Sequence, residues 1–152
     1  MNKVTIPSFQ LIGMTIRTTN ANQQSAKDIP ALWEKFMMNQ SVDKIPNKLS
    51  NDIYCVYTKY EGDHTLPYTT FLGCKVDQVA ELPAEMESLV IEAGTYFPYT
   101  AEGNLMEGAV WKKWVEIWET DLDRTFRSDF EVYSEKAQNP ANAVVDIFVG
   151  VR

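Results

Sequence analysis

The chain is poor in the residues that carry most enzyme chemistry: it has one histidine and two cysteines among 152 residues. His64 falls in what reads as a solvent-facing hairpin loop, so a Cys/His zinc cluster and a Ser-His-Asp triad are both excluded. Cys55 and Cys74 lack C-x-x-C spacing and read as small buried hydrophobes in a reducing compartment, not as a disulfide. No apolar run approaches the ~20 residues that span a bilayer. The opening segment Met1-Asn2-Lys3-Val4-Thr5-Ile6-Pro7 lacks the apolar core of a secretory signal, so the expected location is the cytoplasm. There is no GxGxxG and no Walker loop to cradle a phosphate. Asp121-x-Asp123-x-Thr125 opens like a calcium loop, but its sixth position is Phe126 and its twelfth Val132, where Gly and Glu are required. Basic charge is short too: 14 Lys and Arg stand against 21 Asp and Glu, a net charge of −7. Such a surface repels phosphate backbones and anionic lipid, so neither nucleic acid nor membrane is expected as a direct partner. No metal site, cofactor or catalytic residue is expected.

What is present is apolar and aromatic. Hydrophobic residues make up 45% of the chain and aromatic residues 12%, enough to fill the core of one domain spanning 1–152. Phe9 to Arg17 reads as a strand leading into a polar loop. Asp28 offers an N-cap and Pro30 a first turn to a helix whose Ile29, Leu32, Trp33 and Phe36 recur at helical spacing. Tyr54 to Tyr60 and Tyr68 to Val76 read as a hairpin. Ser88 to Ile91 and Thr95 to Tyr99 read as extended segments, and Gly103-Asn104 stops the second and caps a helix over Leu105 to Glu119. That helix shows a stripe of Met106, Val110, Trp114, Ile117 and Trp118 opposite its lysines and glutamates. Phe130 to Ser134 and Val144 to Val151 read as closing strands.

The two halves, near 1–80 and 81–152, repeat each other. Tyr54-Cys55-Val56-Tyr57 lines up with Phe130-Glu131-Val132-Tyr133, and Phe71-Leu72-Gly73 with Phe148-Val149-Gly150, each pair preceded by a helix. The expected fold is therefore α+β: a tandem pseudo-twofold βαββ repeat, with a curved antiparallel sheet, two main helices and a central cleft. Period two along the Phe130 segment sets Glu131 and Tyr133 on one face, with Phe130 and Val132 on the other. Glu131 is thus an acid in an apolar strand, where its counterpart is the neutral Cys55. A buried carboxylate needs a donor, a cation or a proton. With Tyr57, Phe71, Tyr96, Trp111 and Phe148 as candidate walls, it makes a recipe for binding an organic cation.

Trp111-Lys112-Lys113-Trp114, the segment Asp129-Phe130-Glu131-Val132-Tyr133 and the terminal Phe-Val-Gly strand together resemble the GyrI-like, AraC-type effector-binding domains over essentially the full chain. The resemblance implies a tandem βαββ saddle whose pocket acid, at Glu131, meets cationic ligands in multidrug-responsive members. Those members carry a helix-turn-helix module for which 152 residues leave no room, so the chain looks like the stand-alone forms, including those encoded on integron cassettes. The reading is a small-molecule binder for amphipathic organic cations. Two alternatives stand beside it. One is a hydrolase using Glu131 with help from Tyr57 or Tyr133, since some relatives open strained rings. The other is an interaction domain serving a homodimer or a separate regulator.

Overall fold

The computed structural model describes residues 2–152. Along the chain run β1 (Val4–Ile6), β2 (Phe9–Thr18), α1 (Ser25–Met38), the short α2 (Ser41–Lys44), β3 (Ile53–Thr58) and β4 (Tyr68–Val76). They are followed by β5 (Glu87–Ile91), β6 (Gly94–Gly103), α3 (Ala109–Glu119), β7 (Ser128–Tyr133) and β8 (Ala143–Val151). All eight strands join one antiparallel sheet in the order β1-β6-β8-β7-β3-β4-β2-β5. The repeat is visible in that order, because β2-β4-β3 and β7-β8-β6 are mirror sequences about the central β3–β7 pair. Cys55 lies directly opposite Glu131 in that pair, so the two repeat counterparts face each other across the pseudo-dyad.

The edge strands are exchanged. β1 precedes β2 in sequence but pairs with β6, whereas β5 precedes β6 but pairs with β2. Each half therefore lends its leading strand to the other, a feature that local patterning does not encode. The expected alignment of the second hairpin strands also shifts. Leu72 lies opposite Cys55 and Ile147 opposite Glu131, so Leu72 corresponds to Ile147 and not to Val149. A two-residue slip preserves the face of every side chain, which is why the Phe-x-Gly match looked in register.

The helices cover one face of the sheet. Leu32 and Phe36 of α1 pack on Ile12, Met14, Leu72 and Cys74 in the first half. Trp114 and Ile117 of α3 pack on Val145, Ile147 and Val149 in the second. Each fully buried aliphatic or phenyl side chain contributes about 1.5–3 kcal/mol of transfer free energy. On the opposite face a third cluster gathers Phe9, Leu11, Val56, Phe71, Ile91, Tyr96 and Phe130, with Phe148 packed against it.

Helix boundaries differ from expectation for local reasons. α1 begins at Ser25, three residues before Asp28, because the Ser25 amide donates to Thr19 O (2.9 Å) and its hydroxyl to Asn20 Oδ1 (2.9 Å). Asp28 is left inside the helix, where it accepts from Thr18 Oγ1 at 2.9 Å, and Pro30 lies beyond the first turn. In the second half Asn104 caps a 3-10 turn over Leu105–Glu107, and Gly108, at φ 83°, separates that turn from α3. The interruption turns Met106 outward, so it is 85% exposed and does not join the buried stripe.

Gly13 and Gly73 face each other across β2 and β4, and a Cβ on Gly13 would overlap the Leu72 carbonyl. The neighbour is backbone and cannot rotate away. Gly13→Ala is expected to destabilise the protein by about 1–3 kcal/mol, read as a lower urea midpoint at unchanged m-value; an unchanged midpoint would show that the strands separate freely there.

Candidate functional site

Because α1 sits on one half-sheet and α3 on the other, a cavity of about 1000 Å³ lies between them. That is the upper end of the usual size for small-molecule sites. Its floor carries Tyr57 from β3 with Glu131 and Tyr133 from β7. Trp33 of α1 forms one wall, and Trp111, Trp114 and Trp118 of α3 form the other.

Glu131 is buried to 1% exposure. Its Oε2 accepts from the Tyr57 hydroxyl at 2.8 Å and from the Trp114 indole N–H at 2.7 Å, while Oε1 accepts from the Tyr133 hydroxyl at 2.7 Å. The rings are held in turn by edge contacts, Tyr57 on Trp114 at 5.6 Å and Trp33 on Tyr133 at 4.8 Å between centroids. All three donors are neutral, and no lysine or arginine among the described residues forms a salt bridge with this acid. Loss of water raises its pKa above that of an ordinary glutamate, and the hydroxyl and indole donors only partly oppose the rise. Burial pushes Tyr57 and Tyr133 well above the ordinary phenol range, with the Glu131 charge adding to the effect, so both stay protonated as donors. Burial likewise raises Cys55, which therefore faces the acid as a thiol.

Two residues earlier on the same strand face lies a second acid with the opposite solution. Asp129 is fully buried, and it accepts from Arg124 Nη2 (2.6 Å), the Tyr60 hydroxyl (2.5 Å) and the Gly150 amide (2.8 Å). One buried acid of β7 is thus paired with a cation and the other is not. Arg124 and Tyr60 both reach the cavity wall. So does His64, which is not the surface residue the sequence suggested: its ring stacks on Trp118 at 5.1 Å and 6°. Burial and the neighbouring Arg124 charge lower its pKa, which keeps the imidazole neutral.

Of the six residues singled out from sequence, Glu131, Tyr57 and Trp111 meet at the cavity, Trp111 at its mouth with 59% exposure. Phe71, Tyr96 and Phe148 do not. They pack on the opposite face around Phe130, with Tyr96 at 5.2 Å and Phe148 at 5.0 Å from its ring. The alternation that sets Glu131 toward the helices sends its neighbour Phe130, and Phe148 paired with it, the other way. Trp33 and Trp114 read from sequence only as core; nothing in a helical stripe distinguishes an indole that packs from one that also donates to an acid. The contributions of Arg124, Tyr60 and His64 come from loops and carry no periodic signal.

Comparison with known proteins follows this geometry. The profile of the integron-associated effector binding proteins, Cass2, matches residues 4–151. A Bacillus subtilis (strain 168) protein named "Putative transcriptional regulator protein YobU" is 31% identical over 145 residues, covering 92% of this chain and 90% of that one. An integron cassette protein from the mobile metagenome of Vibrio cholerae superposes with TM-score 0.77 at 30% identity, over 99% of this chain and 95% of that one. SAV2435, solved bound to tetraphenylphosphonium, superposes with TM-score 0.81 at 16% identity over 99% and 93%, a likeness of fold. With its profile matched from the first strand to the last and its cavity built between the two half-sheets, this chain belongs to the family of integron-associated effector binding proteins.

Proposed function

We propose that the cavity binds amphipathic organic cations and that Glu131 is their countercharge. The observation that carries this reading is a buried carboxylate with neutral donors only, on the floor of a cavity walled by indole and phenol rings. The acid lacks a paired positive charge, and the guest supplies it. Each ring face offered to a cation adds about 0.5–2 kcal/mol, and the net charge of −7 draws cations toward the protein from a distance. The binding of tetraphenylphosphonium by SAV2435, which shares the fold, supports the same class of guest here. The reading places the protein in the cytoplasm, where its two free, buried cysteines would remain reduced. The hydrolytic alternative gains no support from Tyr57 and Tyr133, whose hydroxyls already donate to Glu131 and whose raised pKa values make them poor proton shuttles near neutrality.

Titration with tetraphenylphosphonium, followed by tryptophan fluorescence, is expected to show saturable binding that Glu131→Gln weakens by about tenfold or more, the equivalent of about 1.4 kcal/mol. Equal affinity in the two proteins would overturn the countercharge role.

A pH dependence follows from the raised pKa of Glu131. In the guest-free fold its proton is held more tightly than in the unfolded chain. Its contribution to stability is therefore complete below the unfolded pKa and is lost as pH rises through the folded value. A bound cation favours the carboxylate and reverses that loss. Affinity is expected to rise with pH through the folded pKa, by up to about tenfold per unit, and then to level off. Calorimetry in buffers of different ionisation enthalpy should show protons released on binding below that pKa and none well above it. Release that is absent at every pH would mean that the guest leaves the acid's pKa unchanged and would overturn the countercharge role.

A further inference from the structure

The corner of the cavity made by Arg124 and His64 has polar capacity that the protein does not use. Arg124 lines the cavity with its side chain only 5% exposed, and Asp129 holds it through a single nitrogen, Nη2. A guanidinium and a carboxylate usually meet through two parallel bonds. Here the second oxygen of Asp129 accepts from the Gly150 amide and not from Arg124, and the fork is engaged on one side alone. Nε of Arg124 has no hydrogen-bond partner. The same holds for Nδ1 of His64, whose ring is fixed on Trp118 while its own carbonyl is tied to Asn20 at 2.8 Å. Buried polar groups in folded proteins are nearly always paired, and these two atoms are exceptions that protein encloses, out of reach of a guest in the cavity. The nitrogens left open on the cavity side are Nη1 of Arg124 and Nε2 of His64, which form no hydrogen bond among the described residues and, unlike Nε and Nδ1, are not enclosed.

The guanidinium is also held in a fixed position. It lies 4.3 Å from the Phe126 ring centroid and 5.8 Å from that of Trp114, so it cannot swing out to water without giving up both faces. Trp114 joins the two polar regions of the cavity, since its indole N–H donates to Glu131 while its ring carries the Arg124 charge.

We propose that the Arg124–His64 corner is a second subsite, which accepts a carboxylate carried by the same guest whose positive centre is met by Glu131. The inference rests on the cavity-binding reading above and narrows it from cations in general to zwitterionic aromatic compounds. The two charges of the wall are laid out in that sense: an acid without a cation on the floor, and beside it a cation whose own acid satisfies one of its nitrogens only. A guest bearing both charges is oriented by them, because its carboxylate is repelled from Glu131 and drawn to Arg124.

The test uses two xanthylium dyes with a common cationic ring system and pendant phenyl group, tetramethylrosamine and tetramethylrhodamine, which differ in an ortho-carboxylate. Their affinities are compared by fluorescence anisotropy. The wild-type protein is expected to bind the carboxylate dye about tenfold more tightly, despite its lower net positive charge, as one charge-assisted hydrogen bond would give. In Arg124→Gln/Asp129→Asn, which removes both members of the buried pair so that neither charge is stranded, the ratio should fall to one or invert. His64→Phe, which keeps a ring to stack on Trp118, should lower the ratio part of the way without disturbing the ion pair. Equal binding of the two dyes by wild type, or a ratio that persists in the double variant, overturns the subsite while leaving the cation reading intact. If neither dye binds, the cavity reading falls and the subsite with it.

Discussion

A carboxylate held in the sheet by three uncharged hydrogen bonds is the constraint around which this molecule is arranged. An acid without water costs several kcal/mol unless donors replace the solvent, and each donor here comes from a different element: Tyr57 from β3, Tyr133 from β7 and Trp114 from α3. The helix must dock at one height for its indole to reach Oε2, and both strands must keep their register for the hydroxyls to converge. Placing the acid thus fixes the floor, and with it one wall of the cavity.

The seam between β3 and β7 also shows how a duplicated unit acquires a site. At the pseudo-dyad the two halves would present identical residues, yet one offers the thiol Cys55 and the other Glu131. Two acids at that spot would repel each other in a medium that screens poorly, and two thiols would leave it without charge. Asp129, two residues earlier, shows the other way to bury an acid, in the company of Arg124, Tyr60 and a backbone amide.

Much of this was legible in the sequence because it follows from periodicity. Seven of the eight strands, the two main helices and the α+β class come from runs of clear apolar spacing, and the repeat pointed to two half-sheets about a pseudo-dyad; the short β1 was not read as a strand. Glu131 stood out because an acid interrupts an apolar face. What was not legible depends on contacts between distant segments. No local signal says that β1 and β5 change partners, or that His64 turns inward onto Trp118. The aromatic walls divided for the same reason: Phe71 and Tyr57 belong to equally apolar strands, and only the sheet's curvature and the docking of the helices decide which face is filled and which is left open.

The crossing of the outer strands has a mechanical corollary. With β1 fastened to the far rim by three residue pairs and β5 to the near rim by five, the halves are strapped together from both ends of the sheet as well as stitched along its middle. Widening the gap between the helices therefore strains the straps at the periphery. The cleft opens against a restoring force set some distance from the guest it holds, and loosening either strap would make the whole saddle more compliant.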